Sequence, residues 1–398
     1  MIDRSPSAVS AGGSHSWARL DGVDSLRGLA IFFVLMNHVN MRLVLAKIPY
    51  TQALPPQLVS SLVWNGQYGV QMFFAVSGFL ITSTSIRRWG TLAKVSPRDF
   101  YALRFARIAP LLLLLLAVLC VLHAAGLEDF VVSEKSGGLG RALIAALTFH
   151  VNVLEAHRGY LPANWDILWS LSVEEMFYLF FPLVCLALGR RRWLVALLLI
   201  FVAFGPVSRT LLADGNEVWR EYSYLGGMDA IALGCLTAIA SSRTTLARGV
   251  IWVLGILGTM LILFGLGFSD QAEAWGLART GLDMTIVAVG TCMVIAAAAD
   301  TRWKGPRAIS PLLALGRRSY EIYLTHMFVV FALFGLYKSA GLPLIALPVL
   351  FISVILLSGL LGELVARSYS EPMNRLIRER FGDGPDTLGS ATRSDSAG

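Results

Sequence analysis

The sequence has little charge for its length. Asp, Glu, Lys and Arg make up 15% of its 398 residues, whereas soluble domains carry roughly 25%. The mean hydropathy is +0.64. Apolar runs such as APLLLLLLAVLCVLHAAG (109–126) are too long and too many for one soluble core, and each is long enough to cross a bilayer. We therefore expect an all-α, polytopic membrane protein.

Several other features are absent. The four cysteines stand alone in apolar runs, without the spacing of a metal site or a disulfide framework, and are expected to be small core residues: Cys120, Cys185, Cys235 and Cys292. Residues 1–20 lack the apolar region of a signal peptide, so the first helix is expected to remain as an anchor. We find no internal repeat, no fused soluble catalytic domain and no metal-ligand set, and we expect no bound cofactor.

The apolar runs divide into ten spans, and their basic residues give an orientation. With the N-terminus inside, 24 of the 33 Lys and Arg residues fall in inside segments, as the positive-inside rule requires. This predicts a multi-pass protein of the plasma (inner) membrane with both termini cytoplasmic. It also accounts for the pI near 9.4 without a nucleic-acid partner. The spans are 26–46, 68–87, 106–125, 169–189, 193–212, 225–241, 249–268, 281–299, 318–338 and 343–366.

The chain between and beyond the spans is short. Residues 141–157 (RALIAALTFHVNVLEAH) are apolar but too short to cross, so we expect a re-entrant or interfacial helix. We divide the chain into a polar tail (1–20), a membrane domain (21–370) and a C-terminal tail (371–398) that is predicted to be cytoplasmic and largely disordered.

Arg27 and His38 lie in the first span, within SLRGLAIFFVLMNH (25–38). Their eleven-residue separation is just over three helical turns, so both project from one face, ~16 Å apart along the axis. Arg27 could be a topogenic charge that snorkels to the surface. His38 could make a helix–helix hydrogen bond. Because ionisable residues inside a membrane are expensive, and histidine is the usual general base near neutral pH, we also predict functional roles for both.

Other polar side chains fall at compatible depths. Adjacent glutamates point about 100° apart, so at most one of Glu174 and Glu175 can share a site with His38 directly, and both could instead be hydrated at the interface. Asp229 enters from the same side. Tyr320, Tyr323 and His326 share a face, with packing as the simpler alternative, and Glu321 lies on another face. Ser77 is a weak signal alone, because small residues are common where membrane helices pack.

A basic segment, RRWGTLAKVSPRDFYALRFARIAP (87–110), is predicted at the inner face. Arg104 and Arg107 are one turn apart and could grip a phosphate bidentately. The simpler interpretation is positive-inside charge.

Five motifs occurring in order resemble acyltransferase family 3. They are LDGVDSLRGLAIFFVLMNH, GVQMFFAVSGFLIT, RFARIAP, LWSLSVEEMFYLFFPL and LGRRSYEIYLTH, between about residues 20 and 370. The family's arginine and histidine, with ten residues between them, match Arg27 and His38. The resemblance implies about ten spans and transfer of an acyl group, usually acetyl, from cytoplasmic acyl-CoA to a hydroxyl of a surface or secreted carbohydrate or glycoside.

The resemblance and the placement together assign roles. His38 is the expected base and Glu174 its orienting partner, while Arg104 and Arg107 are expected to bind the CoA phosphates. Ser77 is a conceivable nucleophile. The remaining candidates are expected to contact substrate: Arg27, Ser77, Trp169, Ser170, Glu175, Asp229, Tyr320, Tyr323 and His326.

Two other classes stay open from the sequence. A secondary transporter would also carry polar residues at mid-membrane, although many transporters show an internal repeat. A catalytically inactive glycan-binding relative would fold and transfer nothing. The sequence does not determine the acceptor, the acyl group or the oligomeric state. It also does not determine whether an acyl-enzyme intermediate forms.

Overall fold

A computed structural model describes residues 20–51, 55–188, 191–213, 215–301 and 303–381, and these residues form helices and loops without a strand. The α-helices are α1 (Asp21–Leu45), α2 (Pro56–Val63), α3 (Gly66–Trp89), α4 (Pro97–Ala124), α5 (Gly138–Leu147), α6 (Val151–Arg158), α7 (Ala163–Asp166), α8 (Leu168–Leu188), α9 (Arg191–Thr210), α10 (Glu217–Tyr222), α11 (Tyr224–Ser241), α12 (Arg248–Gly267), α13 (Ser269–Ala274), α14 (Leu277–Thr280), α15 (Leu282–Thr301), α16 (Ser310–Arg317), α17 (Ser319–Ser339), α18 (Leu347–Val365) and α19 (Glu371–Phe381).

The all-α fold class with ten spans is confirmed. Within the described ranges, ten helical segments are long and apolar enough to cross a membrane, and each overlaps one of the ten runs identified in the sequence. Two spans begin earlier than expected. At the third span, α4 begins at Pro97 rather than at residue 106. The first span also begins early. Its helix begins at Asp21 rather than at residue 26, which places Arg27 almost two turns inside α1.

The segment 141–157 is not one helix. It forms most of α5, ten residues long, and of α6, eight residues long, and the backbone turns between them where Phe149 has a φ of 56°. At 1.5 Å per residue neither helix exceeds half of a ~30 Å hydrocarbon layer. Both pack on the bundle and do not cross it.

The two predicted tails are only partly described. Residues 1–19 and 382–398 lie outside the described residues. The part of the C-terminal tail that is described is helical, because residues 371–381 form α19. Its amphipathic sequence EPMNRLIRERF packs against α4.

Helix α3 lies at the centre of the bundle and packs against α1, α11 and α15. Its approach to α11 depends on glycine. A Cβ atom at Gly78 would collide with the carbonyl oxygen of Ile231, and one at Gly234 would collide with that of Ala75. Small residues allow this close backbone approach in membrane bundles, and here they fix the position of the neighbouring Ser77.

Because successive spans run in opposite directions, several helix termini lie at the same end of the bundle. Helix α1 begins, α3 ends and α4 and α17 begin at the end that carries Arg87, Arg88 and Lys94. We call it the basic end. Three of the cysteines are buried, Cys120 is half-buried, and none of the four, all described, forms a disulfide.

Replacing Gly78 with alanine is expected to destabilise the fold, because the new methyl group must push two helix backbones apart. Overpacking of this kind costs about 1–3 kcal/mol, and thermal unfolding in detergent measures it. Gly335→Ala is the matched control, since a Cβ there meets no heavy atom within 4 Å and exposed helical Gly→Ala changes gain up to ~1 kcal/mol. Equal melting temperatures for the Gly78 variant and the wild type would contradict the packing argument.

Candidate active site

A cavity of about 1080 Å³ opens between α3, α4, α8 and α17. Along α3 its lining runs from Val70 to Trp89, an axial distance of ~28 Å at 1.5 Å per residue. This is close to the ~30 Å thickness of a hydrocarbon layer. The cavity is therefore elongated, and it reaches from the basic end through most of the bundle.

Positive charge dominates the polar lining. Six of the lining residues are arginines, whereas two are carboxylic acids. The wall between them is apolar and aromatic, with Phe73, Phe74 and Leu171 among its residues. The arginines are Arg27, Arg87, Arg88, Arg104, Arg107 and Arg378, and the acids are Asp99 and Glu174.

Arg104 and Arg107 face this cavity from the first turns of α4. The Arg104 guanidinium lies 3.6 Å from the centroid of the Tyr178 ring and only loosely approaches Glu175, at 3.9 Å. Arg107 lies 3.6 Å from Glu321. These ion pairs are long compared with the 2.7–2.9 Å of a charge-assisted hydrogen bond. Both guanidinium groups therefore retain capacity for an anionic ligand.

The Arg27 side chain enters the same cavity from α1. Its Nε donates to the Ser319 hydroxyl at 3.1 Å. A Cβ at Gly316 would collide with the carbonyl oxygen of Asp24, so the absence of a side chain there lets α16 and the start of α17 approach α1. The approach places Arg27 beside Ser319.

Glu174 and Ser77 lie together in the wall. Glu174 lies beside Ser77 and within electrostatic reach of Arg104 and Arg27. Ser77 also contacts the Tyr178 hydroxyl. Hence Glu174 faces the arginine-lined cavity, and in the described part of the chain no hydrogen bond joins it to His38.

His38 has a different partner, His326 of α17. The two ring centroids are 4.9 Å apart, and His326 Nε2 lies 3.3 Å from His38 Nδ1. His38 Nδ1 also lies 2.8 Å from the Val34 carbonyl oxygen, and His326 Nδ1 lies 2.8 Å from that of Tyr323. A carbonyl oxygen accepts only, so each Nδ1 carries a proton.

This assignment fixes the chemistry of the pair. His38 donates from Nδ1 to Val34 and to the lone pair of His326 Nε2, and its own Nε2 is left with a free lone pair. Neutral His38 is therefore a base at Nε2. His326 is positioned to stabilise the imidazolium that forms when His38 takes a proton.

Tyr323 connects the pair with the cavity. It lines the cavity, its ring centroid is 6.0 Å from that of His326, and its hydroxyl lies 2.6 Å from Ser170 Oγ and 3.0 Å from the Ile167 carbonyl oxygen. Ser170 lines the cavity too, but neither histidine is among its lining residues. Tyr323 thus lies both in the lining of the long cavity and beside His326, the partner of His38.

The other sequence candidates are distributed unevenly. Tyr320 lines the cavity and bonds the Ile108 carbonyl oxygen at 2.8 Å. Trp169 lies outside the lining, stacked on Tyr222 at a centroid distance of 4.0 Å. Glu175 also lies outside it. As expected from the helical wheel, Glu321 points elsewhere, where it is buried against Arg107 and Ser370.

Asp229 lies outside the lining of this cavity. It forms a buried ion pair with Arg209 at 2.5 Å and accepts from Thr285 Oγ1 at 2.6 Å, and Arg209 also bonds the Gly281 carbonyl oxygen. These bonds join α9, α11 and α15. A role in substrate binding stays a prediction for Asp229, but its position and closed bonding are those of a structural ion pair.

A polar cluster at the end of the bundle opposite the basic end was not predicted from the sequence. Glu155 of α6 is fully buried, its Oε1 accepts from the Leu161 backbone N–H at 3.0 Å, and burial together with nearby Asp166 raises its pKa well above the usual value. The Asn164 amide is buried without a hydrogen-bond partner among the described residues. These residues lie on short helices outside the ten apolar runs, so the search of the sequence for membrane spans did not indicate them.

A metal site is not formed by these side chains. Among the described residues, no group of three or more His, Cys, Asp or Glu side chains could hold a metal ion.

Comparison with known proteins gives consistent similarities. A family model described as an acyltransferase domain matches residues 20–363. The O-acetyltransferase OatA of Staphylococcus aureus (strain NCTC 8325 / PS 47) is 25% identical over 405 residues, which cover 94% of this chain and 60% of that protein. For OatA of strain MRSA252 the identity is 26% over 386 residues, covering 89% and 57%.

A putative O-acetyltransferase, SACOL0978 of S. aureus (strain COL), is 24% identical over 349 residues, which cover 81% of this chain and 53% of that protein. The chain thus spans about 60% or less of the length of these relatives. No solved structure matches the chain.

Nitrogen-15 NMR of the histidine rings tests the assigned tautomers. We expect neutral His38 and His326 both to carry the proton on Nδ1, because each Nδ1 faces a backbone carbonyl oxygen. The signals are assigned with His38→Asn and His326→Asn variants, each of which removes one ring. A neutral His38 ring protonated on Nε2 would contradict the assignment. Its Nδ1 would then carry a lone pair, which cannot donate to the Val34 carbonyl oxygen.

Proposed function

This chain belongs to acyltransferase family 3, and we propose that it transfers an acetyl group from acetyl-CoA to a hydroxyl of a surface or secreted carbohydrate or glycoside. The family membership supports acyl transfer. The printed names of the relatives, O-acetyltransferases, support an oxygen acceptor and the acetyl group. The observation that carries the proposal is the arginine-lined cavity that leads from the basic end to the neighbourhood of His38.

The shape and charge of the cavity fit the donor. A CoA thioester has a polyanionic nucleotide at one end and a long, narrow pantetheine arm at the other. Arginine binds phosphate bidentately, and Arg104 and Arg107 lie on one face of α4 with loose carboxylate partners. In the proposed complex they bind the phosphates, and the arm extends along the apolar wall toward Tyr323.

The acceptor hydroxyl meets the thioester beside Tyr323, next to the histidine pair. His38 Nε2 takes the hydroxyl proton as the oxygen attacks the thioester carbonyl carbon. The new C–O bond forms, the C–S bond breaks and CoA leaves as a thiolate, which recovers the proton from the His38 imidazolium. General-base catalysis by a positioned histidine contributes typically 10²–10⁴-fold.

Glu174 has a separate place in this scheme. Its contacts with Ser77 and its proximity to Arg104 and Arg27 support a role at the donor thioester rather than at the base. His326 takes over the orienting role that the sequence assigned to Glu174, because it is the residue that accepts from His38 Nδ1.

The orientation of the chain follows from its charges. Cytoplasmic loops carry an excess of Lys and Arg, so the basic end is proposed to face the cytoplasm, where acyl-CoA is made, with both termini on that side. The lipid bilayer of the plasma membrane is then the environment of the ten spans.

Kinetic variants separate the donor end from the base. Arg107→Ala removes a charged hydrogen bond to phosphate, worth ~1.5–3 kcal/mol, and is expected to raise the KM for acetyl-CoA roughly 10- to 150-fold. Turnover should return at high donor concentration. His38→Ala is expected to lose kcat and to show no such rescue, since it lacks the base.

The assay measures transfer rate against acetyl-CoA concentration in nanodiscs. Arg243→Ala, in an exposed turn after α11 and outside the cavity, is the matched control and should keep wild-type constants. An Arg107 variant with unchanged donor KM but reduced kcat, or an active His38 variant, would contradict the division of roles.

A further inference from the structure

The C-terminal helix α19 closes one side of the cavity at the basic end. It lies beyond residues 20–363, the range matched by the family model. Ser370, in the π-helical turn that precedes it, donates to Glu321 Oε1 at 3.0 Å, and Arg318 forms an ion pair with Glu371. The helix is therefore fixed to the start of α17 as well as to α4.

Two residues of α19 line the cavity, Asn374 and Arg378. They are four apart and hence on one helix face. All three arginines of the helix are exposed, and Arg375 and Arg380 are not in the lining. The helix thus presents one arginine to the cavity and the others elsewhere.

The Asn374 side chain is incompletely satisfied. Its Oδ1 is buried and has no hydrogen-bond partner among the described residues. An unmade hydrogen bond at a buried polar atom costs about 1–3 kcal/mol, so the Asn374 side chain, which lines the cavity, would gain that bond by turning its carboxamide toward a ligand. A carboxamide can pair with the edge of adenine by donating and accepting at once.

The neighbouring lining residues suit the same ligand. Trp89 and Arg88 line the cavity at this end, and the Arg88 guanidinium lies 5.8 Å from the Trp89 ring centroid. Aromatic rings stack with bases of any sequence. One end of the cavity therefore combines a stacking surface, a carboxamide and several arginines.

We propose that α19 completes the site for the nucleotide end of the CoA thioester, with Arg378 binding phosphate and Asn374 hydrogen-bonding the adenine edge. This inference rests on the proposed function and assigns the nucleotide site partly to residues outside the matched domain. A basic amphipathic helix could alternatively bind anionic lipid headgroups. The placement of Arg378 and Asn374 in the cavity lining favours the nucleotide.

The test compares two donors on the full chain in nanodiscs. Acetyl-CoA carries the nucleotide, whereas acetyl-pantetheine lacks it. Arg378→Ala is expected to raise the KM for acetyl-CoA about tenfold or more and to leave the KM for acetyl-pantetheine unchanged. Asn374→Ala should show the same selectivity with a smaller effect, and Arg375→Ala and Arg380→Ala are the controls on the same helix, expected to match the wild type.

Three kinetic results would overturn the inference. The first is an Arg378 variant with wild-type constants for both donors. The second is an equal loss for the two donors, which would indicate a general effect on the cavity. The third is an equal effect of the Arg375, Arg378 and Arg380 variants that follows the anionic lipid content of the nanodiscs, which would assign the helix to the membrane surface.

Calorimetric titration of CoA separates this inference from the proposed reaction. CoA that binds the wild type, and binds the Arg378 variant at least tenfold more weakly, would support the α19 site even in a protein that transfers no acetyl group. A wild type that does not bind CoA would overturn both.

Discussion

The cost of placing charge in an apolar bundle organises this structure. An ionisable side chain inside a membrane must be paired, or must face an internal cavity. Both arrangements are present, and they differ in how close the charged partners lie. Arg209 and Asp229 form a buried pair with short bonds on several sides, whereas Arg104 and Arg107 face the cavity with carboxylates 3.6–3.9 Å away.

The same constraint distinguishes charged residues that stabilise the fold from charged residues that can bind a ligand. A closed pair such as Arg209–Asp229 has satisfied its charge, so it stabilises the contact between α9, α11 and α15 and has little left to offer a ligand. An arginine that faces a cavity and has only distant carboxylate partners is stabilised electrostatically when it binds an anion. The arrangement that holds the bundle together therefore also produces an elongated basic cavity, and the proposed CoA donor follows from that cavity.

Much of the fold could be predicted from the sequence, because spans are read from local composition. The ten apolar runs all became helices, and the 3.6-residue period correctly separated Glu321 from Tyr320 and Tyr323. The start of α1 was missed by five residues, since Asp21 and Asp24 at its first turn look like loop residues in a hydropathy pattern. Helix α19 was missed because its charged sequence resembles a disordered tail.

Contacts between distant elements could not be derived in the same way. The sequence paired His38 with Glu174 from their depths, which say nothing about rotation around the bundle axis. Rotation is set by packing, such as the contact of Gly316 with α1, and this packing brings α17 and His326 to His38. Family resemblance likewise indicated which motifs matter without indicating which residues touch.

In the proposed reaction the donor enters at the basic end, from the cytoplasm, and the acetyl group reaches a hydroxyl beyond His38. Inside-out and right-side-out vesicles from the same cells, each given radiolabelled acetyl-CoA on the outside only, test this most directly. We expect labelled carbohydrate in the inside-out vesicles alone, and no label there when His38 is alanine. Equal labelling in both orientations, or labelling that survives the loss of His38, would contradict it.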